Sequence, residues 1–169
     1  VLLALDQFDW VTLGYETILP VIAPRLHMDG WPDPSAHVDF LDHAARNRIE
    51  VPYLHYGPVS FFGTALRRLF ADRPFQRRVT HENSISVGLR ELALHGWGLC
   101  WLPESLVKDD LACRRLVLAS LRPEWQLPVE IRLYRYRGEE RRYAYDLWQT
   151  ISEALRLQRQ GTEDAMASV

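Results

Sequence analysis

Apolar positions along the chain follow two rhythms, one of about two residues and one of about 3.6, and the changes from one to the other set out the elements. From Trp10 to Ala23 the segment WVTLGYETILPVIA is rich in β-branched and aromatic residues and interrupted by Gly14 and Pro20, which predicts extended segments. From Pro24 to Arg48, Gly30, Pro32 and Pro34 among polar residues predict a long connection holding a helical turn or two over 36–45. VPYLHY (51–56) predicts a strand and Gly57-Pro58 a turn; Phe61, Phe62, Ala65, Leu66, Leu69 and Phe70 then recur at helical spacing until Pro74. Ser60 is placed to cap that helix. RVTHE (78–82) predicts a second strand, followed by Asn83 and Ser84 as capping residues and a helix with Ile85, Leu89 and Leu92 on one face. Gly96 closes it as the glycine after the C-cap.

The unbroken apolar run Gly98 to Leu102 marks a strand buried on both faces, and Pro103 suits the first position of a short helix reaching about Ala112. LVLAS reads as a further strand. Beyond Trp125, Val129, Ile131 and Leu133 alternate with Glu130, Arg132 and Tyr134, so that strand has one wetter face. The chain finishes on a helix striped by Ala144, Leu147, Trp148, Ile151 and Leu155, with a tail from Gly161 expected to fray. Strands alternating with helices imply an α/β sheet with crossover connections.

Composition narrows the function. The 169 residues are 47% hydrophobic and 25% charged, a globular balance far from that of a disordered chain. A formal charge of -2 supplies no basic footprint for a free-standing nucleic-acid binder. No apolar stretch reaches the length of a membrane span, and Val1-Leu2-Leu3-Ala4-Leu5 has neither a basic flank nor a cleavage site, so no membrane role or export signal is expected. Cys100 and Cys113 do not make a disulfide framework and suit a reducing cytoplasm; packing explains both, with a redox role left open. Val1 reads as the middle of a strand, which points to a piece of a longer protein.

Catalytic patterns are missing: no G-x-S-x-G elbow, no catalytic-cysteine signature, no second histidine at helical spacing after His81-Glu82. His37, Asp39, Asp42 and His43 crowd one short segment, but such clusters in polar connections are ordinarily solvated surface, and neither a metal nor a cofactor is expected. Gly96-Trp97-Gly98 has the wrong order, helix then strand, for a phosphate loop. Trp97, Trp101 and Trp148 are explained by core packing, with a pocket edge as the alternative.

The stretch ELALHGWGLCWLPESLVKDDLACRRLVLA (91–119) resembles the effector domain of LysR-type regulators: a helix, a G-x-G turn, a buried strand ending in Leu-Pro, a short helix with Asp-Leu, then a strand. VPYLHYGPVSFFGTALRRLF is similar to the first strand and helix of that family's second regulatory subdomain, LPVEIRLYRYR and the final helix to the return into the first, and LDQFDWVTLGYETILPVIAP to the crossover. One departure is Cys113-Arg114-Arg115, where the family often has Gly before Arg-Leu, which puts a positive-φ turn in question.

The resemblance implies a periplasmic-binding-protein-like type 2 fold: a near-complete second subdomain over about 20–120, a partial first one from 1–19 and 121–158, and a flexible tail over 159–169. It also implies a cytoplasmic sensor that binds a small-molecule effector in a cleft between subdomains and forms a homo-oligomer in the full-length protein. DNA would be met only through a helix-turn-helix domain not contained in this chain. Carried onto this sequence, the effector loops are Val59 and Ser60 after Gly57-Pro58, and Glu82, Asn83 and Ser84 before the next helix, with Trp10 and Thr12 bordering the hinge. Ser60 and Ser84 read equally as plain helix caps. Two rivals stand: an exported solute-binding protein of the same fold type, and an enzyme on a related fold, for which Lys108 is the only lysine available.

Overall fold

The computed structural model describes residues 5–27, 30, 33–36, 39–138 and 141–167. They separate into two compact units, Glu16–Val129 and the pair of segments Val1–Tyr15 and Glu130–Val169.

The larger unit is built on two sheets, one through its first strand and one a parallel pair, linked by a bridge between Tyr53 and Leu99. Its first strand, β1 (Phe8–Ile22), is a single strand of 15 residues in which neither Gly14 nor Pro20 makes a break. Pro20 has no N–H to give, yet it pairs opposite Trp101 and its carbonyl accepts the Ala119 N–H at 2.9 Å. β1 runs antiparallel to β4 (Cys100–Pro103) and to the two-residue β5 (Val117–Leu118). β2 (Val51–His55) and β3 (Arg77–Glu82) are parallel, with an irregularity between Tyr53 and Leu54. Leu54 N–H to Leu99 O and Leu99 N–H to Pro52 O, each 2.8 Å, join β2 in parallel to the residue leading into β4. The strands therefore lie in the order β3, β2, β4, β1, β5.

Parallel neighbours require crossovers, and helices supply them. α1 (Phe40–Asn47) takes up part of the long connection and turns Phe40, Leu41 and Ala44 into the core. α2 (Phe61–Asp72) links β2 to β3, and α3 (Ser86–Leu94) links β3 to β4. Gly96 at φ 75° ends α3 as expected from its position after the C-cap. Gly98, at φ 153°, lets the chain pass close to Pro52, whose carbonyl oxygen would stand 2.7 Å from a β-carbon there. Leu99, Cys100, Trp101 and Leu102 are fully buried, as the unbroken apolar run requires. Pro103 is the N-cap of α4 (Glu104–Ala112) and not its first residue, one position earlier than expected, because it still belongs to β4.

Tryptophans fill this core. Trp101 donates from Nε1 to the Trp125 carbonyl at 2.7 Å, and Trp125 donates to Asp42 Oδ1 at 3.1 Å. Asp110, with no exposed surface, receives Nε and Nη2 of Arg90 at 2.6 and 2.9 Å and Nη2 of Arg115 at 2.5 Å, which ties α3, α4 and the approach to β5 together. The turn at Cys113-Arg114-Arg115 does have positive φ: Arg114 adopts 55° without a glycine.

In the smaller unit β6 (Leu127–Tyr136) pairs with β1, and α5 (Arg142–Ala167) follows. Ala144, Trp148, Ile151 and Leu155 are half-buried, whereas Leu147 is 59% exposed and drops out of the expected stripe. At 100° per residue it stands furthest from the centre of that face. The helix continues past Gly161, where a tail was expected, because one glycine costs only about 1 kcal/mol among helix-favouring neighbours.

Candidate functional site

β2 and β3 run in the same direction, so both end at one edge, and the loops leaving them deliver the first turns of α2 and α3 to that edge. The loops are stitched together: the Asn83 N–H donates to the His55 carbonyl at 3.0 Å, and the Tyr56 and Ser86 hydroxyls are 2.8 Å apart.

Ser60 is the N-cap of α2, as its place before the apolar run predicts, and its Oγ accepts from the Gly63 N–H at 2.9 Å while donating to the Gly57 carbonyl at 2.8 Å. Val59 beside it is 95% exposed.

Ser84 does not cap α3. The Asn83 side chain accepts the Ile85 N–H at 2.9 Å, the helix begins two residues after Ser84, and its N-cap is Ile85, which has no side-chain cap to offer. The first-turn N–H groups of α3 are left without a side-chain acceptor, which makes that turn a partial positive charge open to a ligand. Ser84 instead lies against Gly57: a β-carbon at Gly57 would stand 2.5 Å from Ser84 Oγ and 3.7 Å from Glu82 Oε1. Gly57 is thus the residue that permits the two loops to meet, and among the described residues the Ser84 hydroxyl has no hydrogen-bond partner.

Val59, Ser60, Glu82, Asn83 and Ser84 are therefore all brought to one edge of the larger unit. Trp10 and Thr12 belong to the smaller one. There Thr12 donates to Glu130 Oε1 at 2.5 Å, the Arg132 guanidinium stands 4.1 Å from the centre of the Trp10 ring, and both residues line a cavity of about 270 Å3 with Ser152, Leu155 and Arg156. Tyr56 and Ser86 also lie at this edge and were not singled out from the sequence; Gly57 was read there as part of the turn before Ser60, while its approach to Ser84 is a tertiary contact that no local pattern states.

Of the histidine and aspartate cluster, His37 lies outside the described residues. Asp39 accepts the Leu121 N–H, Asp42 accepts from Ser120 and Trp125, and His43 lies 3.2 Å from Asn47 Nδ2, so these side chains serve the fold. Burial pushes the Cys100 thiol up, which keeps it protonated; Cys113 is exposed.

A sheet whose parallel strands release two helix starts at one edge, and whose first and last strands pass into a second unit, is that of periplasmic-binding-protein-like type 2 domains. Residues 33–156 match the LysR substrate binding domain, and the chain belongs to that family. It is 27% identical over 103 residues to the HTH-type transcriptional regulator YjiE of Escherichia coli K12, which covers 60% of this chain and 34% of YjiE. The same identity and length relate it to the HTH domain-truncated transcriptional regulator QseD of Escherichia coli O157:H7, covering 60% and 42%. The match thus spans less than half the length of these relatives. Among solved structures, VV2_1132, a LysR family transcriptional regulator, superposes with a TM-score of 0.64 at 27% identity over 88% of this chain and 44% of its own. The regulatory domain of HypT from Salmonella typhimurium gives 0.70 at 22% over 87% and 65%, a likeness of fold.

Proposed function

We propose that this chain is the effector-sensing part of a LysR-type transcription regulator and that it binds a small polar metabolite where α2 and α3 begin. The carrying observation is the convergence of Ser60, the unpartnered Ser84 hydroxyl and the uncapped first turn of α3 around Gly57. Helix N–H groups suit a carboxylate or another acceptor, and the Glu82 carboxylate nearby suits a donor on the same ligand. Binding would favour one arrangement of the regulatory domain and so alter how the parent protein meets its operator.

DNA contact belongs, on this reading, to a helix-turn-helix domain outside these residues, in a cytoplasmic homo-oligomer. No catalytic role is assigned: the site residues hold hydrogen-bonding groups and no nucleophile paired with a base. The family match and the regulators among its relatives favour this reading over an exported solute-binding protein, and no described helix is long and apolar enough to cross a membrane. LysG of Corynebacterium glutamicum, a structural neighbour at 23% identity, is described with bound effector Arg, which supports an amino-acid-sized ligand.

The test is a metabolite screen by thermal shift on this chain, followed by DNA binding of the whole regulator with and without each hit. A compound that raises Tm and changes operator affinity, with both effects reduced in Ser84→Ala, supports the proposal. A Tm effect untouched by Ser84→Ala, or one with no consequence for DNA binding, rejects it.

A further inference from the structure

Away from the α2–α3 edge, α4 ends against β5, which pairs with β1, and leaves a groove of about 630 Å3. Four leucines, Leu111, Leu116, Leu118 and Leu121, line it together with Pro34 and Arg114. Leu121 leaves 57% of its surface in water, and Leu118 is half-buried. The groove is also bordered by Ser35, whose hydroxyl already donates to Asp33 at 2.7 Å.

Among the described residues Arg114 is the one cation on this lining. Its neighbour Arg115 is committed to Asp110, but among the described residues the Arg114 side chain has no hydrogen bond and no ion pair. Its backbone stands at φ 55°, a conformation that glycine adopts freely and that a β-carbon makes costly. The fold thus carries an arginine where glycine would be easier, and among the described residues nothing in its packing uses the guanidinium. Arg48 holds the same φ where α1 ends, so this backbone is a helix stop; what sets Arg114 apart is a guanidinium that no described neighbour engages, at the rim of an apolar groove.

We propose that the groove is a second ligand site, distinct from the α2–α3 edge, that takes an apolar carboxylic acid with its hydrocarbon on the leucines and its carboxylate on Arg114. The volume falls in the range of small-molecule sites. A single fixed positive charge in an apolar lining selects a monoanion: a neutral chain forgoes the ion pair, and a dianion leaves one charge unbalanced against leucine.

The experiment is an NMR titration of the isotope-labelled chain with decanoate below its micelle concentration, at about pH 7.5, where a carboxylic acid is ionised. Decanol and acetate test the head and the tail separately. Saturable one-to-one binding is expected, with amide shifts centred on Leu111, Arg114 and Leu116 to Leu118, and with decanol and acetate each weaker by about tenfold or more. Arg114→Gly relaxes the backbone, so Tm should hold or rise while decanoate affinity falls about tenfold. Arg114→Gln, which keeps the reach and loses the charge, should bind decanoate no better than decanol. Equal binding of decanoate and decanol, no saturation, shifts centred on Ser84 to Gly88, or undiminished affinity in both variants would overturn the proposal.

Discussion

Two serines that look alike in the sequence do different work. Ser60 satisfies a helix N–H, so Ser60→Ala should cost about 1 kcal/mol in urea unfolding of the chain without ligand. Ser84 satisfies nothing among the described residues, and Ser84→Ala should change stability by less than about 0.5 kcal/mol; a loss as large as that of Ser60→Ala would show it to be structural. Gly57→Ala pushes a β-carbon to 2.5 Å from Ser84 Oγ, an exposed hydroxyl free to rotate away, and should cost less than about 1 kcal/mol by the same measurement. The two cysteines differ as sharply. At about pH 8 a thiol-specific reagent should modify Cys113 in the native chain and reach Cys100 only after unfolding, since burial holds that thiol protonated; fast labelling of both would show an open core. At this scale Ser60 was legible because a hydroxyl stood directly before an apolar helical run. Ser84 was misread as a cap because Asn83 takes the Ile85 N–H and moves the helix start two residues on. The positive φ of Arg114 was hidden because side-chain type signals that conformation only when it is glycine.

Between elements, ion pairs do work that no periodicity announces. Asp110, fully buried, joins Arg90 of α3 to Arg115 beyond α4, and Asp110→Asn should destabilise the chain by about 3 kcal/mol because it leaves the guanidinium of Arg90 facing a neutral amide. A loss below about 1 kcal/mol in chemical denaturation would mean that the arginines reach solvent freely. In the smaller unit Asp9 receives Nη2 of Arg135 at 2.6 Å and Nε of Arg137 at 2.9 Å, and these hydrogen bonds, Arg135 first, hold its carboxyl below the usual value. A carboxyl lowered in the folded state stabilises above the ordinary aspartate range and stops doing so as pH falls through the folded value. Melting temperature followed downward from about pH 5 should therefore drop more gently in Asp9→Asn than in the parent; identical slopes would show that this clamp is not what acid releases. The elements themselves were largely legible, because each change of hydrophobic period coincided with Gly, Pro or a capping residue. α1 was placed less well, since its three buried residues sit in a polar connection.

For the molecule as a whole, the alternation of strands and helices was enough to give the α/β class, whereas the order of strands in the sheet was not readable from local pattern. β1 shows why: Pro20 looks like a break, yet β4 pairs straight across it and β5 just beyond it, and only those long-range partners make the strand continuous. The meeting of the two helix starts likewise depends on β2 and β3 being adjacent and parallel, which no local signal states. That adjacency is what the functional account rests on, and amide hydrogen exchange of this chain, saturated with a metabolite that raises its Tm, tests it most directly. Slowed exchange is expected in two sequence-distant stretches, Gly57 to Gly63 and Asn83 to Gly88. Protection of only one of them, or protection confined to other parts of the sheet, would contradict a site shared by both.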